Sequence, residues 1–318
     1  MKKRFFNGIV TAVLCVTLAL LLTACGGTGS PANNNDGSVT LGAAHGNNLA
    51  EWLDWLRDNA EDNTTYILPV PAGDSQLSAD QVGLPEGNGI TVDIRAAAPA
   101  NIILNETWFA VSSGVTLRLG QNITLQGGVV GVDVLNGGTL IMENGAKIIG
   151  SDVMAVHLNG VFTMRGGTIS GSNNAGVMIR RTGTFTMEDG IITQNNGDGV
   201  NVEAGIFIMQ GGIISDNDGF GVSISGLSPA DDVHTGGTFR ISGGIIHGNS
   251  GIGANIEGAL RSIPPELLTN PEPPVTARWG HGGIWQDIET PDTITLPWGM
   301  ELPARLATID MRSGVLQP

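Results

Sequence analysis

The sequence predicts an all-β protein in which short strands stack, coil upon coil, into a solenoid. The evidence is a repeat between residues 138 and 249, its internal alternation and the alignment of its copies. The copies are GTLIMENG at Gly138, GVFTMRGG at Gly160, GTFTMEDG at Gly183, GIFIMQGG at Gly205 and GTFRISGG at Gly237. Their starts are 22, 23, 22 and 32 residues apart. A unit this short cannot bury its own apolar side chains, so it must stack on its neighbours.

Apolar and polar residues alternate within each repeat. In residues 175–196, Phe185 and Met187 alternate with Thr184 and Thr186. A period of two indicates a strand with one face turned inward. The Gly, Asn and Asp residues between such runs favour corners. Each repeat therefore predicts three short strands per coil.

Stacking the repeats aligns equivalent side chains in columns. The predicted interior columns are Leu140, Phe162, Phe185, Phe207 and Phe239; Met142, Met164, Met187, Met209 and Ile241; and Ile148, Ile169, Ile192, Ile214 and Ile246. Asn195, Asn217 and Asn249 occupy equivalent corners. A stacked asparagine can bond its counterpart in the next coil, so we expect an amide ladder there.

Composition excludes several classes of protein. Glycine accounts for 48 of 318 residues without the three-residue period of collagen, and the apolar content of 41% excludes global disorder. The net charge of −15 repels phosphate backbones, so we expect no nucleic-acid partner. Solubility is the simplest explanation of this acidity, and cation binding is the alternative.

The N-terminal segment predicts export and a lipid anchor. Residues 1–24 join a basic start to an apolar run that is short for a membrane span, as in a signal peptide. Residues 22–25 (LTAC) resemble a bacterial lipobox, which implies cleavage before Cys25 and acylation of its sulfur. An ordinary signal peptide with an incidental cysteine is the alternative. Gly26 then implies transfer to an outer membrane or the cell surface, and residues 25–47 predict a flexible tether.

Residues 48–60 predict a helix that covers one end of the solenoid. Leu49, Trp52, Leu53 and Leu56 have helical spacing. Asn48 can cap the helix, with an acidic residue three positions on. Because open strand edges need a cover, we interpret the apolar stripe as a cap. A carbohydrate-binding role for its tryptophans is the alternative.

The coils resemble the right-handed parallel β-helix of the pectate-lyase-like superfamily, and most closely bacterial lipoproteins built from GTFTMxGGxIxxN coils. The resemblance covers about residues 90–258. It implies a single-stranded right-handed parallel β-helix of six to eight coils. Together with the strand patterns before residue 90, it predicts a β-helix over residues 61–258, with an insertion at residues 226–236. Residues 259–318 interrupt the pattern with prolines and predict an irregular C-terminal cap or tail.

The outward positions of the repeats carry few reactive groups. Lyases and hydrolases of this superfamily need carboxylates, or an arginine or lysine, on the outer strand faces. The outward positions of the five repeats contain no carboxylate, so no catalytic residue is carried over from the family. Arg180 and Glu203 could lie together on adjacent coils, where a surface ion pair is the simplest interpretation.

Three further groups of residues are weaker candidates for a site. Asp231, Asp232 and His234 lie in the insertion, where protruding loops often carry function. Corner residues Asp198, Asp216 and Asp218 offer oxygen ligands for calcium, although turn chemistry also explains them. Trp279, Trp285 and Trp298 could form a glycan platform or pack over the last coil. The sequence predicts no other cofactor.

These observations favour a lipid-anchored, surface-exposed β-helix that acts as a non-catalytic binding or structural module of the cell envelope. Its expected partners are the membrane, through the lipid anchor, and a glycan or another envelope or host surface protein. A polysaccharide-active lyase or hydrolase is the alternative, and a passive spacer is the third interpretation. Convergence of two carboxylates with Arg or Lys in an outer groove would favour the enzyme.

Overall fold

A computed structural model describes residues 32–33, 36–203, 205–224, 237–250, 254–255, 293–295 and 301–303. The proposed signal segment, Cys25 and the insertion at residues 226–236 lie outside the described residues, as does most of the C-terminal segment. In the part that is described, no helix is long and apolar enough to cross a membrane.

The predicted helix is α1 (Leu49–Asn59). Its apolar stripe is buried, and its start is capped as the sequence predicts: Asn48 Oδ1 accepts from the Glu51 N–H at 3.0 Å. The Asn48 side chain also donates to Glu51 Oε1 at 2.8 Å. The helix ends where Ala60 adopts an extended conformation. Glu51 Oε2 also accepts the Asn47 N–H at 2.7 Å, so the two side chains together satisfy backbone donors at the start of the helix.

The strands are short and separated by corners. Before the repeats they are β1 (Ala32–Asn33), β2 (Val39–Thr40), β3 (Thr65–Pro69), β4 (Gly73–Leu77), β5 (Ile90–Arg95), β6 (Ala100–Leu104), β7 (Phe109–Val111), β8 (Val115–Leu119), β9 (Ile123–Gly127) and β10 (Val130–Val134). Within the repeats they are β11 (Thr139–Met142), β12 (Lys147–Ile149), β13 (Met154–Leu158), β14 (Val161–Met164), β15 (Thr168–Ser170), β16 (Val177–Ile179), β17 (Thr184–Met187), β18 (Ile191–Thr193), β19 (Val200–Val202), β20 (Ile206–Met209), β21 (Ile213–Ser215), β22 (Val222–Ile224), β23 (Thr238–Ile241) and β24 (Ile245–His247). The last described strands are β25 (Ala254–Asn255), β26 (Thr293–Thr295) and β27 (Glu301–Pro303).

The strands form three sheets that run along a right-handed solenoid of about 8 turns. Sheet A has the order β1-β2-β3-β5-β8-β11-β14-β17-β20-β23-β27-β26, sheet B β24-β21-β18-β15-β12-β9-β6-β4, and sheet C β25-β22-β19-β16-β13-β10-β7. Pairing is parallel except between β1 and β2 and between β26 and β27. Each regular coil contributes one strand to sheet A, the next to sheet B and the third to sheet C.

The predicted interior columns are confirmed. Phe162, Phe185, Phe207 and Phe239 are paired in register on consecutive strands of sheet A, and their rings stack with centroids 4.6, 4.9 and 5.1 Å apart. The methionine and isoleucine columns have the same in-register pairing. Like side chains therefore lie directly above one another in one continuous core.

The amide ladder is also present, at the corner between sheets B and C. Asn195 Nδ2 donates to Asn217 Oδ1 at 2.8 Å, and Asn217 Nδ2 donates to Asn249 Oδ1 at 2.8 Å. The same two oxygens each accept a backbone N–H at 3.1 Å from the preceding coil. All three side chains are buried, so the ladder satisfies polar groups that would otherwise destabilise the corner.

The two ends of the solenoid are covered differently. At the N-terminal end the buried side chains of α1 join the core of the first coil, and Trp55 packs edge-on against Tyr66 with ring centroids 6.2 Å apart. Trp52 is 6% exposed, with its indole N–H donated to Gly46 O at 2.9 Å. The tryptophans of this helix are therefore part of a cap. At the other end, β27 pairs with β23 and extends sheet A.

Candidate functional site

Charged side chains gather on the outer face of sheet A, in two coils before the regular repeats and in the first repeats themselves. Strand pairing places Asp93 of β5 beside Arg118 of β8, and Arg118 beside Ile141 of β11. The same outward column continues with uncharged residues, Thr163, Thr186 and Ile208. Beyond Ile208 the column reaches Arg240 of β23, so its uncharged stretch lies between charged residues at both ends.

These charges form a chain of ion pairs across several coils. Asp93 pairs with Arg95 and lies 3.7 Å from Arg118 Nη1. Glu143 Oε1 lies 3.7 Å from Arg118 Nε and 2.9 Å from Arg165 Nη1. Arg118 thus lies between two carboxylates, each of which has a second arginine as a partner. Opposite charges therefore alternate along the stack of strands, and each attracts its neighbours.

A cleft of about 410 Å³ opens over this network, and we call it the sheet A cleft. Its lining residues are Asp93, Arg95, Ala96, Arg118, Gly120, Gln121, Glu143 and Asn144. The cleft exists because Gly120 occupies the outward position between Arg95 and Glu143. The Gly120 N–H bonds Ile94 O at 2.8 Å, and the Glu143 N–H bonds Leu119 O at 2.9 Å. A side chain at Gly120 would contact Arg95 Cβ at 3.0 Å.

The cleft combines a covered carboxylate with accessible cations. Asp93 is only 2% exposed, whereas the side chains of Arg95 and Arg118 are 49% and 35% exposed. Among the described residues, Arg118 Nε is one of two buried side-chain polar atoms with no hydrogen-bond partner. The Nε atom is covered and cannot reach a ligand. The rest of the guanidinium belongs to a side chain that is 35% exposed and lies 3.7 Å from Asp93, so it retains hydrogen-bonding capacity.

The expectation that the outward strand faces lack converging charges is wrong. It holds for the outward positions within the repeat strands but fails in the coils before them and at the position after each strand, where Glu143, Arg165 and Glu188 lie. Asp93 and Arg118 lie in irregular coils, and Glu143 stands just beyond the end of β11. The signal that could have revealed them is the spacing from Asp93 to Arg118 and from Arg118 to Glu143. Each interval is 25 residues, close to one coil.

The family comparison agrees with this architecture. Residues 101–263, more than half of the chain, match the family described as the right handed beta helix region. The chain belongs to this family. No curated protein and no solved structure matches it. Membership of the β-helix family establishes the scaffold, while the chemistry of the cleft has to be argued from its own residues.

The ion pair expected between Arg180 and Glu203 is present on this β-helix. Arg180 Nη2 lies 3.2 Å from Glu203 Oε1, and their side chains are 44% and 25% exposed. Pairs with this exposure contribute less than about 1 kcal/mol to stability. The pair lies at the end of sheet C, away from the lining of the sheet A cleft.

The calcium candidates lie at corners between sheets B and C. Asp198 is half-buried and bonded locally: its Oδ1 accepts the Phe220 N–H at 2.8 Å, and its Oδ2 accepts from Asn201 Nδ2 at 3.3 Å. Asp216 and Asp218 are exposed. Among the described residues, no group of three or more His, Cys, Asp or Glu residues is placed to hold a metal ion.

The remaining candidates lie outside the described residues. They are the lipidation residue Cys25, the loop residues Asp231, Asp232 and His234, and the tryptophans Trp279, Trp285 and Trp298. Their proposed roles remain predictions from the sequence.

Proposed function

We propose that the protein is a non-catalytic binding module of the cell envelope, attached to lipid through Cys25, and that it holds a glycan in the sheet A cleft. The observation that carries this proposal is the cleft over Gly120, with Arg118 lying between two carboxylates that have arginine partners of their own. Planar guanidinium and amide groups make paired hydrogen bonds in fixed directions, which suits the neighbouring hydroxyls of a sugar.

The state of the carboxylates favours binding over catalysis. General acid–base catalysis needs a side chain that reaches the proton to be transferred. Asp93 is almost fully covered, and both Asp93 and Glu143 already have arginine partners. Such groups orient a ligand without being free to exchange its protons. The outward residues Thr163, Thr186 and Ile208, next along the same face, are uncharged.

Attachment to the envelope is supported by the sequence of residues 1–25. A basic start, a short apolar run and a lipobox-like end lead to Cys25. Acyl chains would anchor the protein to a membrane without crossing it. The proposed location, an outer membrane or the cell surface, would present the rigid β-helix to extracellular glycans.

A glycan array tests the proposal directly. The soluble body, residues 26–318, would be compared with the variant Arg118→Gln, which removes the central cation of the cleft. The matched control is Arg180→Gln, which removes an arginine from an ion pair on another face. We expect binding by the parent and the control, and at least a tenfold loss with Arg118→Gln, about 1.4 kcal/mol.

The outcomes separate the possible roles. If Arg118→Gln still binds the glycan as the parent does, the glycan binds outside the sheet A cleft. An absence of binding to both acidic and neutral glycans would remove the glycan proposal and favour a protein partner or a spacer. Circular dichroism of each variant shows whether the fold is intact.

A polysaccharide-active enzyme is the second candidate, because two carboxylates do converge with arginines in an outer groove. Incubation of the parent with acidic and neutral polysaccharides, followed by assays for unsaturated products and new reducing ends, tests it. Products that disappear with Glu143→Gln and persist with Glu203→Gln would establish catalysis in the cleft and contradict the binding proposal.

A further inference from the structure

Asparagine followed by glycine is a dipeptide that can modify itself. The backbone nitrogen of the glycine can attack the side-chain carbonyl carbon of the asparagine, because glycine has no side chain to block the approach and a permissive backbone. In the described part of the chain the asparagines that precede a glycine are Asn88, Asn136, Asn144, Asn159 and Asn196. The structure separates them by the hydrogen bonding of the glycine N–H and by the space around the glycine.

Hydrogen bonding protects two of these dipeptides. The Gly160 N–H donates to Val134 O at 3.1 Å, and the Gly197 N–H donates to Asn174 O at 3.0 Å. A nitrogen held in this way must lose its hydrogen bond before it can attack the preceding asparagine. Within the described ranges, the other three glycines have an N–H without a hydrogen-bond partner: Gly89, Gly137 and Gly145.

Crowding restrains two of the remaining three. A Cβ atom would lie 2.4 Å from another heavy atom at Gly137, and 2.5 Å from one at Gly89. At Gly145 the nearest heavy atom would be Gln121 Cβ, at 3.6 Å. The backbone at Gly145 therefore has the room to rotate that ring closure requires.

The dipeptide Asn144–Gly145 lies at the sheet A cleft. Both residues are exposed, and they form the centre of a turn in which the Ala146 N–H donates to Glu143 O at 3.1 Å. Gly145 has a φ of +84°, which favours glycine at this position. Asn144 and Glu143 both line the cleft. A change in the charge of Asn144 would therefore act inside the proposed binding site.

We propose that Asn144 deamidates spontaneously and so replaces a neutral amide of the sheet A cleft with a carboxylate. The Gly145 nitrogen loses its proton and bonds to Asn144 Cγ, the Cγ–Nδ2 bond breaks, and the amide group leaves as ammonia. Water then hydrolyses the cyclic imide at either of its carbonyl groups, which gives aspartate or isoaspartate. Either product places a new negative charge next to Glu143.

Mass-spectrometric peptide mapping of the detergent-solubilised full chain tests the modification. After incubation at mildly alkaline pH, the folded protein should accumulate aspartate and isoaspartate at Asn144 faster than at the other four asparagines. In urea the five should convert at similar rates, because each is followed by glycine and the fold no longer protects any of them. Faster conversion of Asn159 or Asn196 than of Asn144 in the folded protein, or an unmodified Asn144, would overturn the proposal.

The effect on the cleft is measured separately and rests on the proposed function. Asn144→Asp reproduces the aspartate product, and Asn144→Gln is the matched control that keeps a neutral amide. On the glycan array, Asn144→Asp should weaken binding at least about threefold relative to Asn144→Gln, because the new carboxylate competes with the ligand for Arg118.

The two experiments fail in different ways. Equal glycan binding by Asn144→Asp and Asn144→Gln would show that deamidation does not regulate the cleft. An absence of glycan binding by the parent would contradict the proposed function, whereas the deamidation of Asn144 is decided by the mass spectra alone.

Discussion

The phenylalanine column shows how single side chains stabilise the core of the solenoid, to which each coil contributes one layer. Phe185 lies between Phe162 and Phe207, with ring planes within 6° and 11° of parallel. Each ring is 0% exposed, so each coil buries aromatic surface that it could not bury alone. Parallel stacking is imposed by the register of sheet A, because identical positions repeat at the strand spacing.

Phe185→Asp is expected to unfold the central coils. It removes a buried ring and leaves an unpaired charge in the core, so the loss should exceed the roughly 3–5 kcal/mol of a Phe→Ala change. Thermal denaturation followed by circular dichroism measures it. Thr186→Asp, one residue further along the same strand but facing outward, should change the stability little. Equal Tm values for the two variants would contradict the predicted core.

Asp198 illustrates the cost of burying a charge at a corner. Burial raises the pKa of this carboxyl above its ordinary value of 3.8, although hydrogen bonds from the Phe220 N–H, Ser223 and Asn201 act in the opposite direction. A raised pKa means that the folded state takes up a proton more readily than the unfolded state. Ionised Asp198 therefore lowers stability above its folded-state pKa, and the loss is relieved as the pH falls through that pKa.

Asp198→Asn is accordingly expected to raise the Tm at pH 7, because the asparagine oxygen can still accept the Phe220 N–H without a buried charge. The difference from the parent should shrink as the pH falls toward 3.8. Melting curves from pH 7 to about pH 4 test this. The matched control is Asp218→Asn, which makes the same substitution at an exposed residue of the next corner. A lower Tm for Asp198→Asn at pH 7 would show that the hydrogen bonds outweigh burial.

At the scale of elements, the asparagine ladder holds successive corners together. Asn217 donates to Asn249 Oδ1 and to Ser215 O, and its own oxygen accepts from the side chain and backbone of Asn195. The ladder ends at Ser172, whose backbone N–H still bonds Asn195 Oδ1 at 3.1 Å. Among the described residues, Ser172 Oγ is the second buried side-chain polar atom without a hydrogen-bond partner, because serine is too short to extend the amide chain.

Asn217→Ala should destabilise the corner because it leaves buried partners on both neighbouring coils unpaired. Each unpaired group costs about 1–3 kcal/mol, and for a body of this size each kcal/mol lowers the Tm by about 2–4 °C. The control is Asn196→Ala. It removes an exposed side-chain amide that donates a hydrogen bond to Asn173 of the preceding coil. If Asn217→Ala and Asn196→Ala have the same Tm, the buried ladder contributes no more to stability than the surface amides do.

At the scale of the whole molecule, the proposed lipid anchor at Cys25 would place the β-helix at a membrane. Cys25→Ser should move the protein from the membrane fraction to the soluble fraction, because a serine oxygen is not the sulfur that the lipobox-like sequence predicts to be acylated. Cell fractionation with immunodetection measures this. Cys15→Ser, within the proposed signal segment, should leave the protein with the membrane. Retention of Cys25→Ser in the membrane would contradict the anchor.

The fold was largely predictable because repetition makes one coil informative about all the others. Five copies with equivalent Phe, Met, Ile and Asn positions indicate both the strands and their alignment. The sheet A cleft was not predictable in the same way. Asp93 and Arg118 belong to coils that lack the repeat, whereas Glu143 follows the strand of the first repeat. Which of these residues share an outer face depends on a strand register that only the stacked structure shows.

The sequence by itself determined the repeat, the interior columns, the capped helix and the amide ladder, because each follows from local periodicity and from the need to bury apolar surface. Only the tertiary structure decided which charged residues meet. Arg118 lies between Asp93 and Glu143, and His157 lies between Asp133 and Met178, because parallel register brings residues a full coil apart into contact. A shift of one residue in either strand would turn those side chains to the opposite face.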